Sequence, residues 1–172
     1  MKLSLCIVNS ASEDSSGADD NGNSTTDYPS HRTSTERITA ILREELEILY
    51  PPSKLYEYAE ISLTFTTPEG IRELNREYRG VDEATDVLSF PLLEDEAVEV
   101  PELPVLALGD IVICPEETER LHPELTRDDA IILMIAHSFL HLLGYDHDTD
   151  EKQAAMWELQ DKIAAKIHGR TE

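Results

Sequence analysis

Short apolar stretches along the chain predict four β-strands. Ile61, Leu63 and Phe65 alternate with polar residues, which is typical of a strand with one buried face. Another apolar stretch is interrupted at Gly109-Asp110 and indicates an inner strand of the sheet. The predicted strands are residues 1–9, 61–66, 86–90 and 106–114.

Four further segments have the periodicity and end signals of helices. A capping box, Thr33-x-x-Glu36, predicts the start of the first helix, which should end before Pro51-Pro52. Thr67-Pro68 starts the second, Thr126-x-x-Asp129 caps the third, and the last runs from about Asp150 to His168. The residues expected to face inward are Ile38, Ile41, Leu42 and Leu49 in the first helix, Ile71, Leu74 and Tyr78 in the second, and Met156, Leu159, Ile163 and Ile167 in the last.

These elements predict an α+β protein, a small α/β sandwich in which helices pack on a mixed sheet. The third helix, from Thr126 to about Leu143, is apolar almost all round and should therefore be the buried central helix. We expect residues 1–172 to form one domain. Residues 10–32 hold almost nothing apolar, and we predict that they are a disordered acidic insertion.

Three of the chain's 6 histidines lie at the end of this central helix, at His137, His141 and His147. Residues four apart share a helical face, so the first two can bind one ion. Gly144 can end the helix in a left-handed conformation and let the chain present the third. Three protein ligands with an open position describe a catalytic zinc site, with one Zn²⁺ per chain. The alternative, separately solvated or hydrogen-bonded histidines, is less favoured because imidazoles on a buried helix need partners, and one shared metal ion supplies a partner to all three.

The spacing H-x-x-x-H-x-x-G-x-x-H also occurs in metzincin proteases, which carry a glutamate general base directly after the first histidine. Ser138 occupies that position here and cannot act as the base. A zinc metallopeptidase is therefore a weaker alternative than metal-assisted hydrolysis of another bond.

Two more blocks narrow the choice. They are N-R-E-Y-R-G-V-D-E-A-T-D-V-L-S-F-P at 75–91 and L-G-D-I-V-I-C at 108–114. Together with the histidine block, from about residue 59 to about 150, they resemble the YbeY family of bacterial single-strand-specific metallo-endoribonucleases. The chain departs from the family pattern at Ser138, where the family usually has glycine, and in its longer segment after the first strand.

The resemblance implies single-stranded RNA as the substrate, ribosomal RNA processing as the role, especially at the 3′ end of the small-subunit RNA, and a catalytic cleft containing Arg79. Arg79 would clamp a phosphate, which its planar guanidinium suits. Arg72 and Arg76 share its helix face, but we expect them to be solvated and paired with Glu69, Glu73 and Glu77. The general base is left open among three aspartates. Asp146 could instead orient an imidazole, Asp86 could equally close a turn, and Asp110 is a polar residue in an apolar strand.

The charge of the chain favours a second alternative. With 14 basic and 36 acidic residues the net charge is −22, the wrong sign for a protein that coats nucleic acid. A non-catalytic, ribosome-associated assembly factor that binds basic small-subunit proteins would fit this charge. Cys6 and Cys114 are too few for a disulfide framework and lie in apolar runs. No apolar run reaches the length of a signal peptide core or a membrane span, so we expect a cytoplasmic protein with no membrane partner.

Overall fold

A computed structural model of the chain describes residues 1–9, 34–93 and 105–169. The predicted insertion at 10–32 lies outside the described residues, as does most of the acidic segment after Leu93. The strands are β1 (Lys2–Asn9), β2 (Tyr58–Phe65), β3 (Val87–Pro91) and β4 (Val105–Ile113). They form one sheet in the order β1-β2-β4-β3, in which β1, β2 and β4 are parallel and β3 is antiparallel to β4. The sheet is mixed and β4 is an inner strand, as predicted.

The helices are α1 (Thr35–Leu49), α2 (Pro68–Arg79), α3 (Pro115–Leu121), α4 (Arg127–Leu142) and α5 (Asp150–His168). Threonine side chains cap three of them, because Thr67, Thr126 and Thr149 each accept a hydrogen bond from a backbone N–H in the first turn. The predicted capping box on α1 was wrong by one position. Ser34 is the N-cap, and its hydroxyl accepts from the amide of Arg37.

The long apolar helix α4 lies in the middle of the core, which confirms the predicted α+β fold with a buried central helix. Ile131, Ile135 and Phe139 of α4 are almost fully buried and share one apolar cluster with Leu63 and Ile111 of the sheet. Burying a side chain of this size stabilises a fold by about 1.5–3 kcal/mol relative to exposure. Helix α4 is therefore packed against strands β3 and β4 of the sheet and against α5.

A bulge in β4 brings the end of α4 close to β3. Glu60 pairs with Ala107 but Ile61 pairs with Gly109, so Leu108 is an extra residue in the strand. Gly109 has φ +139°, and a Cβ there would collide with the carbonyl oxygen of Phe90 and lie 2.9 Å from the Leu142 side chain. Glycine at this position therefore permits the close approach of β3, β4 and α4.

The inward-facing residues predicted from periodicity are buried or partly buried, with one exception. Tyr78 is 59% exposed, so its assignment to the buried stripe of α2 was wrong. It lies in the last turn of the helix, and its ring makes an edge-to-face contact with Phe90 at 5.1 Å instead of entering the core. Cys6 is also exposed, on the outward face of β1, whereas Cys114 is buried.

Candidate metal centre

The end of α4 and the turn that follows it present the three histidines. His137 and His141 lie one helical turn apart on the face that meets α5 and the cleft. The helix ends at Leu142, Leu143 is its C-cap, and Gly144 follows with φ +84°, the left-handed conformation predicted for it. The amide of Tyr145 donates to the Leu140 carbonyl, which folds the chain back over the helix end. This turn brings the His147 side chain close to those of His137 and His141.

The ring nitrogens of the three histidines converge. His137 Nε2 lies 3.1 Å from His141 Nε2, and one nitrogen from each of the three rings lies within 4.8 Å of the others. Nitrogen ligands placed tetrahedrally about 2.0–2.1 Å from a zinc ion are roughly 3.3 Å apart. The three imidazoles are therefore close enough together to bind one divalent metal ion.

The electrostatics of the site also suit a metal. Burial lowers the pKa of His137 below its usual value, and burial together with the neighbouring His137 and His147 lowers the pKa of His141. Both imidazoles are therefore neutral near pH 7. A neutral imidazole offers the lone pair that a metal ion needs, whereas an imidazolium does not.

Gln160 of α5 is a site residue that the sequence analysis missed. Its Oε1 lies 2.9 Å from His137 Nδ1, and the residue is only 9% exposed. A signal was present in the sequence, because Gln160 falls on the same stripe of α5 as Met156, Ile163 and Ile167. A polar residue on a buried apolar stripe indicates a buried polar partner.

A cleft of about 440 Å³ opens beside the histidines, and the predicted Arg79 lies in its wall. His137, His141, Tyr145 and Asp146 form one side, while Arg79 and the first residues of β3 form the other. The Arg79 Nη2 group donates to the Ser89 carbonyl oxygen at 3.1 Å, which ties the end of α2 to β3. The fold thus brings together residues that are about sixty positions apart in sequence.

The neighbouring arginines do not reach the cleft. Arg72 makes two hydrogen bonds to the Asp82 carboxylate, at 2.9 and 3.0 Å, and Arg76 lies 3.7 Å from the same carboxylate. Both arginines are exposed, as predicted, but the expected partners on α2 were wrong. A carboxylate in the following turn accepts from Arg72 and forms an ion pair with Arg76, and chiefly the hydrogen bond from Arg72 holds the pKa of Asp82 below its usual value.

The three candidate aspartates differ in position. Asp86 accepts from the Val87 amide and the Thr85 hydroxyl and lies 3.2 Å from His122 Nε2, so it closes a turn at the start of β3. Asp110 is an exposed residue of β4. Asp146 lines the cleft, and its Oδ1 accepts from the His147 amide at 2.7 Å. It therefore fixes the backbone that carries the third histidine.

Comparison with known proteins identifies the family. The model of the family described as Endoribonuclease YbeY matches residues 23–168. A protein named Endoribonuclease YbeY from Clostridioides difficile is 48% identical over 111 residues, which cover 63% of this chain and 72% of that protein. The chain belongs to the YbeY family. This confirms the resemblance seen in the three sequence blocks.

Two further comparisons cover more of the chain. A relative from Thermoanaerobacter, also named Endoribonuclease YbeY, is 37% identical over 142 residues, which are 77% of this chain and 87% of that protein. The solution structure of TM1509 from Thermotoga maritima has a TM-score of 0.53 and 25% sequence identity, and the match covers 96% of this chain and 90% of that one. Among the described residues of this family member, no helix is both long and apolar enough to cross a membrane.

Proposed function

We propose that this protein is a zinc-dependent endoribonuclease that hydrolyses phosphodiester bonds in single-stranded RNA. The enzyme class, a nuclease hydrolase, follows from membership of the family. The observation that carries the rest is that one cleft is lined by the guanidinium of Arg79 and by His137 and His141, two of the three convergent imidazoles. Metal ligands and a phosphate-binding cation are the two components that metal-assisted phosphodiester hydrolysis needs.

His137, His141 and His147 would hold the ion in this proposal. When bound, a zinc ion lowers the pKa of a coordinated water towards about 7 and polarises a phosphoryl oxygen. Burial keeps the imidazoles of His137 and His141 neutral, and the side of the cluster that faces the cleft stays open to substrate. Three ligands with an open position suit catalysis, whereas structural zinc sites are usually closed by four.

Arg79 would bind the scissile phosphate. One of its N–H groups donates to Ser89, and a guanidinium has five such donors, so others can face the cleft. Two parallel N–H donors match two phosphate oxygens, and the positive charge stabilises the negative charge that develops during hydrolysis. The bond to Ser89 orients the guanidinium before the substrate arrives.

The peptidase alternative has less support. The position that carries the glutamate base in metzincins is Ser138, which is fully buried inside α4. Ser138 is not among the residues that line the cleft, and its hydroxyl cannot act as the base. The metal spacing alone does not make a peptidase.

We place the activity in ribosomal RNA processing, at the 3′ end of the small-subunit RNA, in the cytoplasm. The support for this role is the family resemblance of the three sequence blocks and not a contact in the structure. The net charge of −22 opposes extensive contacts with RNA and favours additional contacts with basic ribosomal proteins of the small subunit.

The decisive experiment compares one labelled RNA in two forms. Purified protein is incubated with a single-stranded oligonucleotide and with the same sequence as a duplex, before and after chelator treatment, and its metal content is measured in parallel. We expect cleavage of the single strand only, loss of cleavage with chelator, and recovery when zinc is added back. Cleavage that survives complete metal removal would refute the metal mechanism. No cleavage of either form by metal-loaded protein would favour the assembly-factor alternative.

A further inference from the structure

The buried amide of Gln160 contacts the first histidine of the cluster from behind. Gln160 lies on α5 and His137 on α4, 23 residues apart, and Gln160 Oε1 is 2.9 Å from His137 Nδ1. The other amide atom, Nε2, donates to the Asp161 carboxylate at 3.3 Å. Because a carboxylate only accepts, this second bond fixes the NH₂ group towards Asp161 and the oxygen towards the histidine.

This orientation determines which ring nitrogen of His137 carries the proton. An amide oxygen can only accept, so the 2.9 Å contact is a hydrogen bond when Nδ1 is protonated. A neutral imidazole with a proton on Nδ1 has its lone pair on Nε2. That atom points towards the cluster, since it is the one that lies 3.1 Å from His141 Nε2.

We propose that Gln160 is a positioning residue of the metal centre, which holds His137 in the Nδ1–H tautomer and in the ring orientation that directs Nε2 at the ion. The proposal rests on the proposed metal function of the cluster. Rotation of the ring would cost the hydrogen bond and would leave a buried amide oxygen without a partner, which is unfavourable. Partners of this kind typically contribute 10- to 100-fold to metal affinity.

The choice of an amide has a chemical consequence. A carboxylate at the same place would also accept from Nδ1, but its negative charge would make the imidazole a stronger electron donor to the metal. Gln160 orients the ring without adding that charge. We therefore expect Gln160→Glu to keep the tautomer and to bind zinc at least as tightly as the natural protein.

The test uses two variants of Gln160 and a control on the same helix. Gln160→Met keeps the length of the side chain but removes its hydrogen-bonding atoms, and Gln160→Glu keeps the acceptor. Gln153→Met makes the same chemical change at a partly exposed position of α5. The measurements are the zinc dissociation constant by competition with a chelator, the ring ¹⁵N shifts of His137 in the metal-free full-length protein, and the melting temperature.

We expect Gln160→Met to raise the zinc dissociation constant by about 10- to 100-fold and to lose the excess of the Nδ1–H tautomer. Gln160→Glu should retain both properties, and Gln153→Met should behave like the natural protein. Zinc affinity within twofold of the natural protein in Gln160→Met, with an unchanged tautomer, would overturn the proposal. Should Gln160→Met fail to fold, the ¹⁵N shifts of the natural protein still decide, because a dominant Nε2–H tautomer contradicts it.

Failure of this inference is distinguishable from failure of the proposed function. The tautomer of His137 is measured without metal and without RNA, so it tests the Gln160 contact directly. A natural protein that shows the Nδ1–H tautomer but binds no zinc would refute the metal function. One that binds zinc and cleaves RNA with the opposite tautomer would refute only the role of Gln160.

Discussion

The histidines at the end of α4 and the arginine at the end of α2 face the same cleft but are held by very different amounts of structure. α4 is buried among the sheet and α5, and its first histidine is also fixed by Gln160. Arg79 is exposed, lies in the last turn of a helix that is mostly outside the main core, and is held by one bond to Ser89. Packing therefore fixes the metal ligands, whereas the orientation of the phosphate-binding guanidinium depends on its hydrogen bond to Ser89.

Removing a histidine ligand from the buried helix α4 should have the largest effect on metal binding and RNA cleavage. We expect His141→Ala to lose most of the bound metal and to reduce RNA cleavage by more than the roughly 10²-fold expected for one electrostatic group. Metal content by mass spectrometry and cleavage of single-stranded RNA measure both effects. His168→Ala is the matched control, because this histidine lies at the far end of α5 and 3.1 Å from Asp129. Full metal occupancy in His141→Ala would show that the ligands are misassigned.

Removing the guanidinium from the exposed side should affect catalysis alone. We expect Arg79→Ala to keep its metal and to change the free energy of unfolding by less than about 0.5 kcal/mol, as exposed substitutions usually do. Cleavage should fall by about 10²-fold, and Arg79→Lys should recover only part of it, because an ammonium cannot make the bidentate contact. Steady-state cleavage rates and urea unfolding give the two numbers.

Arg72→Ala is the control for this substitution. Arg72 lies on the same helix and is also exposed, but its guanidinium is engaged by Asp82 outside the cleft. Its loss should change the cleavage rate only slightly. If Arg72→Ala and Arg79→Ala lower the cleavage rate by the same small factor, Arg79 is only a surface charge and does not bind the phosphate.

The same contrast explains how much of the site could be predicted from the sequence. The histidines lie within one helix and one turn, so local geometry alone brings them together. The pairing of Gln160 with His137 and the bond from Arg79 to Ser89 depend on how separate elements pack, which spacing does not encode. The position of Arg79 in the cleft was predicted from the family motif, because helical periodicity does not distinguish it from Arg72 and Arg76. The partner of Arg72 was mispredicted because an acidic residue beyond the helix competes better than glutamates on it.

The secondary structure could also be predicted from the sequence only in part. Long amphipathic or apolar segments gave α1, α2, α4 and α5 and the four strands nearly as observed. Helix α3 was missed because its 7 residues, which begin at Pro115, are too few to display a period. Tyr78 was assigned to the core because periodicity cannot show where the core ends. Both errors concern elements at the boundary of the packed interior.

The stability of the metal-free protein at low pH should distinguish the buried histidines from the exposed arginine. The folded pKa values of His137 and His141 lie below the unfolded value, mainly because of burial, so the unfolded state binds more protons as pH falls below about 6.5. The free energy of unfolding should therefore fall with pH in that range, by at most about 1.4 kcal/mol per pH unit for each proton.

Two variants test whether the buried histidines cause this pH dependence of the free energy of unfolding. His141→Gln removes one of the two groups and should flatten the slope, whereas Arg79→Ala should leave it unchanged. The measurement is urea unfolding of chelator-treated protein at several pH values between 5 and 8. A slope that is the same in all three proteins would mean that the acid sensitivity arises elsewhere.

The smallest expected effect concerns Ser138, a buried residue of helix α4. Ser138 lies between the two helical ligands and is fully buried, and its hydroxyl has no hydrogen-bond partner among the described residues. Removing a buried hydroxyl that lacks a partner, in a helix that favours alanine, should stabilise the fold. We expect Ser138→Ala to raise the free energy of unfolding by about 1 kcal/mol, and the melting temperature by about 2–4 °C, with metal content unchanged.

Two comparisons make this last prediction specific. Ser138→Gly removes the same hydroxyl but should be about 1 kcal/mol less stable than Ser138→Ala, because glycine disfavours the helix interior. Ser53→Ala removes another buried hydroxyl that has no partner among the described residues, in the short turn Pro51–Leu55 between α1 and β2, and should leave the metal site unchanged. If Ser138→Ala instead lowers both stability and metal affinity, the hydroxyl supports the ligands on either side of it. The rigidity of α4 would then depend on a polar contact as well as on apolar packing.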